Sequence, residues 1–98
     1  MAATITVINP TTDAVATKQP VDARAYETII VAAPGLAGAE EVGITLGGGA
    51  DWAIVTLPDG SEAKLTATQQ SLELPAAMYG ITKTATAAAV GVQVTLID

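Results

Sequence analysis

The chain has few side chains that could act as a nucleophile or as the base that activates one. Its 98 residues include two serines, Ser61 and Ser71, and neither histidine nor cysteine. Nucleophilic catalysis requires both a nucleophile and a group that orients and deprotonates it. Ser61 directly follows a Pro-Asp-Gly turn, which accounts for its presence. We therefore expect no catalytic residues and predict that the protein is not an enzyme.

Carboxylates could work as an acid–base pair or bind calcium, but their spacing favours neither role. Glu40 and Glu41 would point to opposite sides of an extended chain, and Asp51 and Asp59 lie at opposite ends of a predicted strand. Without Cys or His the chain offers no thiolate or imidazole for zinc. Gly47-Gly48-Gly49 lacks the Lys and Ser/Thr of a phosphate loop, and no helix follows it. We expect no metal and no cofactor.

The three aromatic residues are candidates for recognition. Trp52 sits at a loop–strand junction, where it is either a core anchor or a contact at a partner interface, since Trp is enriched at interfaces. Tyr79 follows Pro75 by four residues and resembles the tyrosine corner of β-sandwiches, in which the ring packs inside and the hydroxyl binds a loop. Tyr26 is a similar case.

Composition places further limits on function. Half of the chain is apolar, but 20 of these residues are Ala, so an isolated core would be weak and oligomerisation would help it. A sandwich with a Val, Ile and Leu core could also fold alone. The net charge of −6 disfavours nucleic-acid binding. The uncharged stretch 28–39 contains Pro34 and two glycines and is too short to span a membrane, so we expect no membrane partner.

The dominant pattern is alternation of Val, Ile, Thr and Leu between turns, which predicts β-strands. Pro58-Asp59-Gly60 is the strongest turn signal and predicts a β-hairpin between 52–57 and 62–67. In the last strand, the alternation puts Val90, Val92, Val94 and Leu96 on one face. The other predicted strands span residues 4–8, 14–18, 24–33, 42–46, 72–74 and 79–85, and residues 36–41 are expected to form a loop.

Seven or eight short strands separated by turns predict an all-β fold, an antiparallel β-sandwich or jelly-roll-like barrel. Residues 11–21 are rich in Thr, Ala and Pro and poor in core-forming side chains. The expected organisation is therefore an extended N-terminal arm, residues 1–21, and a single domain, residues 22–98. Such an arm could add a strand to the sheet of a neighbouring subunit.

The segment from Leu72 to Thr86, followed by Val90-Gly91-Val92, resembles small virion proteins of tailed bacteriophages, which often end in a corner of this kind. The resemblance covers about residues 25–97. It implies a capsid decoration, or cement, protein that sits on the outer surface of the virion, is made in the host cytoplasm, and braces the shell. Its partners would be itself, as a homo-oligomer such as a trimer, and the major capsid protein, with no small-molecule substrate.

Two hypotheses follow from the sequence. The first is a structural virion protein whose candidate partner-interface residues are Ile5, Val7, Val15, Trp52 and Tyr79. The second is a receptor- or carbohydrate-binding module of a phage tail or a cell-surface adhesin, with Trp52 or a tyrosine as a stacking platform. Fluorescence of Trp52 separates them, because a sugar platform is exposed and responds to ligand.

Overall fold

A computed structural model of the protein describes residues 2–48 and 51–98. These residues form nine β-strands and no helix. They therefore contain no helix that could cross a membrane. The strands are β1 (Ala2–Thr11), β2 (Val15–Asp22), β3 (Thr28–Ala32), β4 (Val42–Gly48), β5 (Asp51–Ile54), β6 (Lys64–Leu65), β7 (Ser71–Pro75), β8 (Met78–Lys83) and β9 (Val90–Ile97).

The strands build two antiparallel sheets. The first, sheet A, has the order β1-β9-β3-β7, and the second, sheet B, has the order β2-β8-β4-β5, with β6 also paired to β4. The predicted all-β sandwich is therefore confirmed. The chain enters sheet A with β1 and crosses to sheet B with β2, so the first two strands form one side of the sandwich and are both edge strands.

The alternating pattern sets the core between the sheets. Val90, Val92, Val94 and Leu96 all face inward and are buried, as predicted, while Gln93 on the opposite face is exposed. Ile29 and Val31 of β3 pair with Leu96 and Val94, which brings the same face of two central strands together. Ile44, Leu65, Leu74, Tyr79 and Ile81 complete the largest part of the core from the other strands.

The Pro58-Asp59-Gly60 turn forms as predicted, but its two flanks separate. Gly60 N–H donates to Leu57 O at 2.9 Å, and Gly60 has a φ of +91°, the left-handed region that favours glycine. Leu57 N–H donates to Ser61 O at 2.8 Å and closes the hairpin. β5 and β6 then pair with different parts of β4, so residues 55–63 form a hairpin that projects between them.

Two boundaries differ from the predicted ones. β3 begins at Thr28, because residues before it turn: Tyr26 N–H donates to Ala23 O at 3.0 Å. Within the predicted arm, residues 1–21, the structure places β1 and most of β2, which pair with β9 and β8 of the same chain. The physical reason is that Ile8 and Val21 are buried in the common core, which the low density of large apolar residues in 11–21 did not indicate.

Candidate interaction surfaces

The N-terminal segment supplies the open edge of each sheet on one side of the sandwich. Among the described residues, β1 pairs only with β9, and β2 pairs only with β8. An edge strand presents unpaired backbone groups that can accept a strand from another chain. Register shifts interrupt β1 after Thr6 and after Ile8, and such irregularities limit open-ended pairing. The stretch before Thr6 is in regular register and is the better template for strand addition.

Three of the predicted interface residues lie on this segment and differ in exposure. Ile5 pairs with Val94 and is 41% exposed, because its position near the N-terminal end of the edge strand is incompletely covered. Val7 and Val15 are half-buried and pack against the core. Ile5 therefore presents apolar surface directly beside the regular part of the β1 edge, whereas Val7 and Val15 contribute mainly to packing.

Lys83 fastens the corner between β1 and β2. Its side chain is only 3% exposed, and its ammonium group donates to Asp13 O at 2.8 Å, Thr84 O at 3.1 Å and Thr86 Oγ1 at 3.2 Å. A buried ammonium is tolerated where its three donors are satisfied. This cation therefore works as a structural tie between the N-terminal segment and the loop that follows β8.

Thr86 extends the same tie. Its backbone N–H donates to Thr12 O at 3.0 Å, and its buried hydroxyl lies 2.6 Å from Ala88 O and 3.2 Å from Thr11 O. We call Lys83, Thr86 and the backbone of residues 11–13 the corner lock. None of these roles was foreseen from the sequence, although Lys83 stands at an inward-facing strand position, which is an unusual place for a charge.

Glu40 holds the other side of the loop after β8. One of its carboxylate oxygens accepts from Ala87 N–H at 2.9 Å, and the other accepts from Ala37 N–H at 2.9 Å. These backbone donors, first that of Ala87 and then that of Ala37, lower the pKa of the Glu40 carboxyl below its usual value. The predicted loop over 36–41 is thus an ordered turn that is hydrogen-bonded to the corner-lock loop.

Tyr79 occupies the corner position that its spacing from Pro75 indicates. The ring is 1% exposed and fills the core, and the hydroxyl donates to the Pro75 carbonyl. Burial also raises the pKa of the Tyr79 phenol. In this fold the side chain presents no surface to a partner, so its role is to stabilise the connection between β7 and β8.

The opposite edge of sheet B carries the most exposed large apolar side chain among the described residues. Ile54 is 65% exposed and pairs with Thr45, which places it on the outer face of the sheet. The backbone of Trp52 pairs with Gly47 in the same strand. The Trp52 side chain lies outside the described part of the structure, as do residues 49 and 50. Its two predicted roles, core anchor and contact at a partner interface, are therefore both untested.

The serine and acid of the predicted turn bind each other. Ser61 Oγ donates to Asp59 Oδ1 at 2.6 Å, and Ser61 N–H donates to the same oxygen at 2.9 Å. These bonds, the side-chain one first, lower the pKa of the Asp59 carboxyl. The pair forms the turn that the sequence indicates.

The strand order and register define the class of this domain: a two-sheet antiparallel β-sandwich in which the first two strands close one side. Many functions occur on sandwiches of this kind. No protein-family model matches the chain, and no curated protein matches it. Among solved structures, the chain is similar to the crystal structure of the SPBc2 prophage-derived protein YomS, with a TM-score of 0.66 and 9% sequence identity. The alignment covers 100% of this chain and 94% of that one, so the likeness extends over the whole fold.

Proposed function

We propose that the protein is a structural component of a phage virion that decorates and stabilises the capsid through protein–protein contacts. The observation that carries this proposal is the agreement in fold, over the full length of the chain, with a protein encoded by a prophage. It adds to the resemblance that the segment from Leu72 to Thr86 bears to small virion proteins. In this proposal the protein is not an enzyme.

The surface of the sandwich supports a role in assembly. Strand addition at an edge gains affinity from main-chain hydrogen bonds and places few demands on side chains. The β1 edge offers its backbone and the exposed Ile5 together. This combination suits a chain whose apolar residues are mostly small, because the backbone rather than large side chains provides the contact.

The corner lock supports the bracing part of the proposal. A protein that stabilises a shell must carry load from its contact edge into its own core. β1 is held by its ladder to β9 and, at its C-terminal end, by the bonds from Lys83 and Thr86 to the backbone of residues 11–13. A force on the β1 edge is thereby distributed between the β1–β9 hydrogen bonds of sheet A and the corner lock. We propose homo-oligomers, such as trimers, on the outer capsid surface, in contact with the major capsid protein.

Binding to undecorated capsids tests this function directly. Purified protein is added to capsids of the phage whose genome carries the coding sequence, and capsid disruption is followed against temperature. We expect saturable binding and a higher disruption temperature. Absence of binding would contradict the proposal. If instead the protein does not bind capsids and a glycan shifts Trp52 fluorescence, the result supports the carbohydrate-binding hypothesis.

Two matched variants locate the contact edge. Ile5→Asp and Ile54→Asp each introduce one carboxylate at an exposed isoleucine, the first on the β1 edge and the second on the opposite side of the molecule. We expect Ile5→Asp to weaken capsid binding and Ile54→Asp to leave it nearly unchanged. The reverse order would assign the contact to the β5 edge.

A further inference from the structure

The outer strands of the two sheets differ in how well they are protected against pairing with another chain. Among the described residues, β1 and β7 are the outer strands of sheet A, and β2 and β5 are those of sheet B. β7 contains Glu73 and Pro75, β2 contains Lys18 and Pro20, and β5 begins at Asp51. Charged residues and prolines on an outer strand hinder the addition of a strand from another molecule.

β1 lacks this protection where its pairing is regular. Residues 2–6 pair with β9 one by one, and the first register shift follows Thr6. No residue from 2 to 12 is charged, and Pro10 lies beyond that shift. In a chain with a net charge of −6, a second copy would therefore meet no charged side chain on this strand. We call residues 2–6 the β1 template.

The β1 template also presents an apolar side chain that its own sheet leaves uncovered. Ile5 pairs with Val94 and Ala3 pairs with Leu96, and both of these partners are buried between the sheets. Directly opposed residues of an antiparallel pair lie on the same face, so Ala3 and Ile5 belong to the core-facing side. Both are nevertheless exposed, Ile5 by 41%. A further strand added to sheet A would cover them.

We propose that the β1 template pairs with the β1 template of a second copy of this chain, antiparallel and about a two-fold axis. The two four-stranded sheets then continue into one sheet of eight strands. An axis through Thr4 uses the whole regular run, because it places each Ile5 opposite Ala3 of the second copy. The two isoleucines become diagonal neighbours about 7–8 Å apart on the core-facing side.

The composition of the other outer strands favours this two-fold pair over a head-to-tail contact. A three-fold ring or a filament joins two different surfaces, whereas a two-fold contact uses the same surface twice and closes on itself. A head-to-tail contact between strand edges would join the β1 template to β2, β5 or β7 of the neighbour, and each of these contains a charged residue. Within the homo-oligomers proposed above, the edge therefore selects a pair of chains.

The inference rests on the proposed function for the place where the pair works, since the contact itself is argued from the edge. Only five residues of each chain pair, so the contact is weak in free solution and is favoured where copies are held close together. A pair also attaches to a shell through two copies, which raises its avidity. Loss of pairing then weakens capsid binding, in line with the effect expected for Ile5→Asp.

Sedimentation velocity of the full chain tests the pair directly. Concentrations from about 10 µM to 2 mM cover the local concentrations of neighbouring subunits. We expect monomers at the lower end and dimers at the upper end, with tighter dimers in about 0.5 M salt than in about 0.05 M, because salt screens the repulsion between two acidic chains. Hydrogen exchange at residues 2–6 should slow as dimers form. Monomers throughout, trimers, or unchanged exchange at these residues would overturn the proposal.

A charge swap tests the two-fold geometry. Ile5→Lys and Ile5→Glu each place two like charges beside the axis, so either variant alone should dimerise roughly tenfold more weakly than wild type. An equimolar mixture brings Lys and Glu together across the axis and should recover dimers to within about threefold of wild type. Ile54→Lys and Ile54→Glu make the same changes at an exposed isoleucine of sheet B and should dimerise like wild type. A mixture no better than its two components would refute the pairing of Ile5 across the axis.

The two proposals fail in distinguishable ways. If the charge swap restores dimers but no form binds capsids, the capsid function is refuted while the two-fold pair stands. If wild type binds capsids but stays monomeric in solution, and the mixture of Ile5 variants binds capsids no better than either variant alone, the two-fold pair is refuted while the capsid function stands.

Discussion

Replacing Lys83 by Met tests whether the corner lock holds the N-terminal strands. Met has a similar length and no charge, so it fills the space without the three hydrogen bonds to Asp13 O, Thr84 O and Thr86 Oγ1. Each bond to a charged donor contributes about 1.5–3 kcal/mol. Two of the acceptors belong to exposed residues and regain water, and the buried ammonium no longer has to be desolvated. We therefore expect a net loss of about 2–3 kcal/mol in the free energy of unfolding.

For a domain of this size, such a loss corresponds to a fall in Tm of roughly 10–20 °C. Differential scanning calorimetry measures it, and Lys64→Met is the matched control. Lys64 makes its ion pair with Glu41 at the surface, where both side chains are 40% exposed, so its removal should have a much smaller effect.

A local measurement links this loss to the lock itself. Relative to the wild type, Lys83→Met should speed solvent exchange of the Thr86 amide, which donates to Thr12 O, much more than that of amides in the centre of β9. A Tm change no larger than that of Lys64→Met, with Thr86 exchange unaltered, would refute the structural role of Lys83.

Three further predictions follow from other parts of the sandwich. Tyr79→Phe removes the buried hydroxyl that binds the Pro75 carbonyl, and we expect a loss of about 1 kcal/mol, measured as a lower urea midpoint at constant m-value; an unchanged midpoint would contradict it. The side chain of Arg24, then its backbone N–H, lowers the pKa of Asp22 from 3.8 to about 2. Because the folded pKa is the lower one, the stability that this pair contributes is present above about pH 4 and lost as the pH falls toward 2. An NMR titration of the carboxyl should show a midpoint of about 2, and Arg24→Ala should raise it. Deleting residues 1–21 removes nearly all of two strands and should abolish the cooperative thermal transition seen by circular dichroism; a truncated protein that melts cooperatively would show that residues 1–21 are a detachable arm after all.

The local elements were largely predictable, because strands and turns depend on patterns that nearby residues carry. The alternation of Val90, Val92, Val94 and Leu96 marks one buried face, and the structure confirms it. Pro58-Asp59-Gly60 specifies its own turn through proline, a side-chain bond and glycine at positive φ. The spacing of Tyr79 from Pro75 likewise indicated the corner that the structure contains.

The pairing of strands was less predictable, because it depends on contacts between distant residues. The two flanks of the Pro58 turn were expected to pair with each other along their length. Instead, β5 and β6 each pair with β4. Similarly, the low apolar content of residues 11–21 favoured a free arm. Composition did not indicate that Val21 would be buried in the core or that β2 would pair with β8, because both depend on contacts between distant residues.

The amino-acid sequence by itself determined the all-β class, the positions of the turns and the faces of the strongest strands. These properties depend on the conformational preferences of single residues and on period-two burial, which act over a few positions. Tertiary structure alone decided which strands became neighbours. Lys83 became a buried tie because Asp13 and Thr86 meet it across the sandwich, and Ile5 came to lie on an open edge because β1 pairs only with β9 among the described residues. Interactions of this kind are set by three-dimensional proximity, and spacing along the chain carries no signal for them.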